Sequence, residues 1–357
     1  MSGAMDGVVL EAAGEGRLRE AYGTARERLV LRAAMDPYDP RSGIEIVDSL
    51  HTASVYAVAV GDLPGALEIA GEAMRDDVTG GHPALARSRL IAPLVLTGAF
   101  REALALGVEM WESQARMATP PGRWMAPALA WMGLACDLLG DSAGARGWRG
   151  RAEAVGGTRL VALFAFIDAR TATDRIADGE GADRVGGALA EVDLGGRAGG
   201  MFAGYAVAAR AELAVVAGRA DAAEWLAAAE PVGRENAWAA ACLARAEGRL
   251  AARSAGAAGS GGAAGSGGAA GSGGASGQGG SGGSGGQGGS GGQGAPGAPG
   301  GSGAGLEALE RAVAGWEGVG ARYERARTLL LMPGREAEGR DELAAMGVML
   351  TDRSRKA

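Results

Sequence analysis

The stretch GDLPGALEIAGEAM, residues 61–74, decides the fold. Gly61 can take the left-handed conformation that closes a helix. Asp62 can cap the next helix, and Pro64 falls in its first turn, where a missing backbone N–H costs nothing. Ala66, one turn in, is small enough to let two helix backbones approach. Apolar residues then recur at Leu67, Ala70 and Met74, spacings of three and four that mark one face of a helix. This is the wording of a tight helical hairpin.

The same phrase, a Gly followed five residues later by a small residue, recurs along the chain. Copies are GRLREA from Gly16, GAFREA from Gly98, GDSAGA from Gly140, GADRVG from Gly181, GRADAA from Gly218 and GREAEG from Gly334. From Gly16 to Gly218 the successive gaps are 45, 37, 42, 41 and 37 residues. Spacing this regular predicts an array of antiparallel helix pairs, each burying its apolar face by stacking on the next. The expected fold class is therefore all-α, an α-solenoid. Composition agrees: apolar residues are 47% of the chain but aromatics only 4%, and Ala, the best helix former, dominates the apolar share.

One region cannot join the array. Residues 257–301 read AAGSGGAAGSGGAAGSGGASGQGGSGGSGGQGGSGGQGAPGAPGG, a composition with nothing to bury. The text before it, 234–253, reads as the first helix of a pair, with Trp238, Cys242 and Leu250 on its apolar side. The text after it reads as the second, with Leu306, Leu309, Val313 and Trp316 at helical spacing. Taking the tract out returns Gly305 to the repeat period after Gly218. The expected organisation is thus a helical array over 1–253, a disordered Gly/Ser-rich insertion over 254–304 within a helical hairpin, the last helices of the same array over 305–347, and a flexible tail over 348–357.

The formal charge is −7, and the only lysine is Lys356. A phosphate-binding loop of the GxxxxGK[ST] type and a Schiff-base enzyme both need a lysine inside the fold, so neither chemistry is expected. An acidic chain with no basic stripe is a poor partner for nucleic acid. Cys136 and Cys242 lie far apart in apolar helical text and read as reduced, buried thiols. The N-terminus lacks a basic start and apolar core, and the longest apolar run, LVALFAFI at 160–167, is too short to cross a bilayer. A cytoplasmic protein without membrane contact is expected.

Two families are resembled by specific wording. WMGLACDLLGDSAGARGWRGRAEA, 131–154, resembles the tetratricopeptide repeat: Gly133, Gly140, Ala145 and Ala152 fall at that family's small positions and Trp148 near its large aromatic, although the copies here run longer. LEALERAVAGWEGVGARYERARTLLLM, 306–332, followed by GREAEGRDELAAMGV, 334–348, is similar to the last repeats of the helical sensor region in large ATP-binding LuxR-type transcriptional regulators of high-GC bacteria. In that family the repeats lie between an ATP-binding module and a DNA-binding helix-turn-helix. The resemblance implies that this chain corresponds to the repeat region alone.

Candidate functional residues are few. Asp48 and His51, three apart on the helix GIEIVDSLHTASVYAVAV, could face one ligand. A metal would need a further ligand, and His82 is the only other histidine. Arg123, Trp124 and Trp131, following the rigid loop ATPPG, have the composition of a recognition patch, although Trp and Met at helical spacing also build cores. DPYDPRSG at 36–43 reads as a turn with a helix cap. No cofactor or metal is expected. The functional expectation is a non-catalytic module that binds a protein partner or small effector in transcriptional regulation. An oligomerising scaffold, or an enzyme built on Asp48 and His51, are the alternatives.

Overall fold

A computed structural model describes residues 2–36, 38–75, 83–117, 119–177, 185–190, 200–261 and 303–350. His82, the GADRVG turn at Gly181, most of the Gly/Ser tract and the end of the tail lie outside these. All regular elements among the described residues are helical. The α-helices are α1 (Ser2–Gly14), α2 (Leu18–Leu31), α3 (Pro40–Val60), α4 (Leu63–Arg75), α5 (Pro83–Thr97), α6 (Phe100–Arg116), α7 (Ala126–Leu138), α8 (Ser142–Gly156), α9 (Val161–Ala177), α10 (Val185–Ala188), α11 (Ala203–Val216), α12 (Ala222–Glu235), α13 (Ala237–Gly261), α14 (Gly303–Val319), α15 (Arg322–Leu329) and α16 (Glu336–Ala345).

The glycine phrase does what its chemistry requires. Gly16, Gly61, Gly98, Gly140, Gly218 and Gly334 all have positive φ; the first five close one helix shortly before the next begins, and Gly334 lies in the longer turn between α15 and α16. At the deciding hairpin Asp62 accepts the Gly65 N–H at 3.0 Å, and its other oxygen accepts the Tyr22 hydroxyl at 2.7 Å, tying α2 to the start of α4. Asp39 likewise caps α3 by accepting the Arg41 N–H at 3.0 Å, ahead of Pro40.

Three details differ from the sequence reading. The buried face of α4 is Leu63, Ala66, Ile69, Ala70 and Ala73, while Met74 is exposed; the small residues turn inward because the hairpin backbones lie close. Gly305 is a buried residue inside α14, not a turn: a Cβ there would meet the Gly248 carbonyl and Ala251 of α13 at 3.4 Å, so the two glycines let the helices cross. The turn glycine of this part is Gly320, φ +72°, between α14 and α15.

The arrangement brings distant hairpins together. Carbonyls at the end of α3 also accept from α11 and the start of α13: Tyr205 donates to Val58 O at 2.6 Å and Asn236 to Ala59 O at 2.7 Å. At Gly61 a Cβ would stand 2.6 Å from the Trp238 nitrogen, and at Gly98 it would strike Met346. The turns of α3/α4 and α5/α6 thus rest on the C-terminal half.

The middle of the molecule is filled, not hollow. Trp131, Phe166, Tyr205, Trp238 and Trp316, from α7, α9, α11, α13 and α14, form a continuous aromatic chain with centroids 5.1–5.5 Å apart from Trp131 through Phe166 to Trp316. All five are at most 1% exposed. The edge-to-face pairs among them, Phe166–Tyr205, Phe166–Trp238 and Trp238–Trp316, each add about 0.5–1.5 kcal/mol beyond the burial itself.

Candidate functional site

Beside this core lies a groove of about 880 Å³, lined by α7, α8, α9 and α10. Its volume is that of a small-molecule site. Two features of the local sequence make it. Gly133 lets α7 and α8 close up, since a Cβ there would stand 3.3 Å from the Ala145 carbonyl. On the far side α10 has one turn where α8 has fifteen residues, so among the described residues part of α9 stays uncovered between them.

The floor is apolar, with Phe164, Ile167 and Ala172 of α9 opposite Ala130 of α7. Ion pairs stitch the walls. Arg149 of α8 holds the Asp168 carboxylate of α9 with both Nη atoms, one at 3.1 Å, and lies 4.4 Å over the Phe164 ring. Arg175 of α9 donates to Asp137 of α7 at 2.8 Å. Arg146, one turn before Arg149, lines the same groove but makes no ion pair or hydrogen bond among the described residues. The groove therefore offers an apolar floor, two committed ion pairs and one uncommitted cation.

The sequence-chosen residues lie elsewhere. Asp48 accepts Arg28 Nη1 at 2.8 Å, as one of three carboxylates around that buried arginine with Asp6 and Glu45. His51 is buried on the same helix. Arg123 is exposed and Trp124 half-buried, but Trp131 is 0% exposed within the aromatic chain, so these three form no common surface. Trp124 precedes α7, whereas Trp131 lies more than one turn inside it, which carries Trp131 from the helix entry into the core. Sequence reading missed Arg146, Arg149, Asp168 and Arg175. GARGWRGR showed arginines at helical spacing, but which carboxylates they face depends on inter-helix register.

Both cysteines are free and buried, and burial pushes both thiols up, Cys136 to about 11 with Asp141 and Asp137 adding to it. They are protonated at neutral pH and so lack the thiolate that reacts. Among the described residues no group of three His, Cys, Asp or Glu is placed to hold a metal ion, and no described helix is long and apolar enough to cross a membrane. Compared with protein-family models, curated proteins and solved structures, the chain shows no match.

Proposed function

We propose that the chain is a non-catalytic helical-repeat module that binds a small effector in the groove between α7, α8, α9 and α10. The observation that carries this is Arg146: a cation without a partner at the rim of an effector-sized groove whose other charges are already paired. The ligand that fits has an apolar body for Phe164 and Ile167 and an acidic group for Arg146. A regulatory setting, transcriptional in kind, is supported by the likeness of residues 306–348 to the sensor repeats of LuxR-type regulators, and by hairpin turns that recur at the repeat glycines. On this reading the helix pairs form a tightly coiled array, and the Gly/Ser tract is an insertion in the α13/α14 hairpin. That the middle is filled by the chain's own side chains favours a ligand held between helix pairs over a peptide laid along an open inner face.

The test is a screen of small carboxylic acids and phosphate esters by shift in Tm, with hits titrated into two variants. Arg146→Ala should weaken binding about tenfold, as for one lost charge-assisted contact. Gly187→Trp fills the groove from α10, where an added Cβ meets nothing, and should abolish binding. A hit whose affinity is unchanged in both variants would place the ligand elsewhere and end this reading.

A further inference from the structure

α13 carries a row of arginines on one face, Arg245, Arg249 and Arg253, four residues apart. Two of them have hydrogen-bond partners. Arg245 donates to both oxygens of Glu212 at 2.6 and 2.7 Å and to Glu324 at 2.7 Å, and Arg253 donates to the Val215 carbonyl at the end of α11. Arg249, between them, is the exception. Its side chain is 15% exposed, yet its buried Nε has no hydrogen-bond partner and no other nitrogen of it donates among the described residues. Among the described residues the carboxylate within ion-pair distance of it is Glu212, 3.4 Å from that Nε and already shared by Arg245 and the Cys242 thiol, while Asp174 acts on it from farther away.

The neighbouring carboxylates are spoken for as well. Glu324 accepts from Arg170 at 2.6 and 2.9 Å besides Arg245. Asp174 accepts Arg170 at 2.7 Å and the Tyr323 hydroxyl at 2.6 Å, with Arg327 at 3.2 Å. With its Nε buried and without a hydrogen-bond partner, this guanidinium, which has five N–H donors and no acceptor of its own, is stabilised by any acceptor that reaches it. Burial pushes Arg249 down to about 10; Glu212 opposes this, and Arg245 and Arg327 add to it.

We propose that Arg249 anchors a second binding site, distinct from the groove, for the phosphate or carboxylate group of a small molecule that enters where this side chain reaches solvent. Planar two-pronged contact with an oxyanion is what a guanidinium offers, and the arginines flanking it make the location attractive to negative charge. An anion there would bind α13 next to Glu212 of α11, and so add to the contacts that hold these helices together.

The test uses the full chain with inorganic phosphate and acetate as probes, ionic strength held constant with NaCl so that general salt effects cancel. At low millimolar phosphate or acetate, a saturable rise in Tm of roughly 2 °C is expected, accompanied by saturable heat on titration. Arg249→Met should melt higher than the parent in anion-free buffer and show no response to either probe. Arg146→Ala should respond as the parent does, which separates this site from the groove. The proposal is overturned by a linear, non-saturating rise in the parent, by an undiminished response in Arg249→Met, or by loss of the response in Arg146→Ala. If Arg249→Met does not fold, Arg249→Lys carries the test: a weakened or absent response is expected, and an undiminished one overturns the proposal.

Discussion

Two clusters of buried arginine hold this molecule together, and they differ in what happened to their carboxylates. In the central seam Arg170 and Arg245 meet Glu324 and Glu212, and all four side chains are at most 7% exposed. Near the N-terminus Arg28 is equally buried, but its partners Asp6, Glu45 and Asp48 keep 34%, 39% and 51% of their side chains exposed. The same device is desolvated on both sides in one place and on one side in the other. Since the cost of a broken pair is set by the charge left behind in a dry site, the two clusters should respond very differently to the same insult.

The largest contrast comes from deleting one partner. Glu324→Ala takes one of two carboxylate partners from both Arg170 and Arg245, 2% and 1% exposed, leaves the dry seam one negative charge short, and should cost about 3–5 kcal/mol, with Tm falling by on the order of 10 °C. High salt should barely alter that loss, since ions do not reach the seam. Arg28→Met leaves three carboxylates that can turn to water, so the expected loss is about 1–2 kcal/mol and should shrink as salt screens their repulsion. Denaturant midpoints at low and high salt measure both. Equal costs, or equal salt dependence, would erase the distinction.

Acid gives a smaller effect of opposite sign in the two places. Burial alone would raise Glu212, but Arg245 and Arg249 outweigh it and hold the carboxyl at about 2; Asp174 is likewise held below its usual range by Arg170 and Arg327 despite burial. A depressed folded-state pKa contributes stability that is present above the unfolded value, near 4, and is lost as pH falls toward the folded one. The seam should therefore weaken between about pH 4.5 and pH 2. Asp6 behaves otherwise. Burial raises it, and the nearby Asp48 and Glu45 add to this against Arg28. Its raised pKa is a penalty present above that value and relieved as pH falls through it. Asp6→Asn should thus raise Tm most at neutral pH and have little effect near pH 3, whereas Glu212→Gln should lower Tm at neutral pH and matter least near pH 2.

How much of this could be read from the chain follows from how local each requirement is. A positive φ is a demand on one residue, so Gly61, Gly98, Gly140 and Gly218 announced their turns. Gly320 did not, because Arg325 stands where the phrase wants a small residue. Gly305 misled for a related reason: glycine serves a turn and a helix crossing equally, and only the contact with Gly248 tells which. The seam was out of reach. Arg170 and Glu324 are 154 residues apart, and nothing along α9 or α15 says that the two helices meet. The groove shares that limit, since Arg149 of α8 finds Asp168 of α9 only through the packing of the two helices, while Asp48, the residue the spacing favoured, serves Arg28 from another helix.

The smallest expected effect concerns the tract itself, and it sharpens what the seam does. α15, after the tract, contributes Tyr323, Glu324 and Arg327 to a network whose other members, Arg170, Asp174, Glu212 and Arg245, all precede it. α13 and α14 also cross directly at Gly248 and Gly305. These contacts hold the C-terminal helices directly, so on the reading proposed above, with the tract as an insertion in the α13/α14 hairpin, its contribution reduces to loop-closure entropy. That grows only with the logarithm of length, and replacing residues 262–302 by a short Gly/Ser turn should raise stability by at most about 2 kcal/mol. By contrast, ending the chain at Gly261 removes Glu324, Trp316 and the partner face of α13 together, and should destabilise more than Glu324→Ala alone. Melting the two shortened proteins side by side checks both expectations: a large loss on excising the tract would mean that the loop carries contacts the array depends on, and an unchanged Tm on truncation would mean that the seam holds nothing.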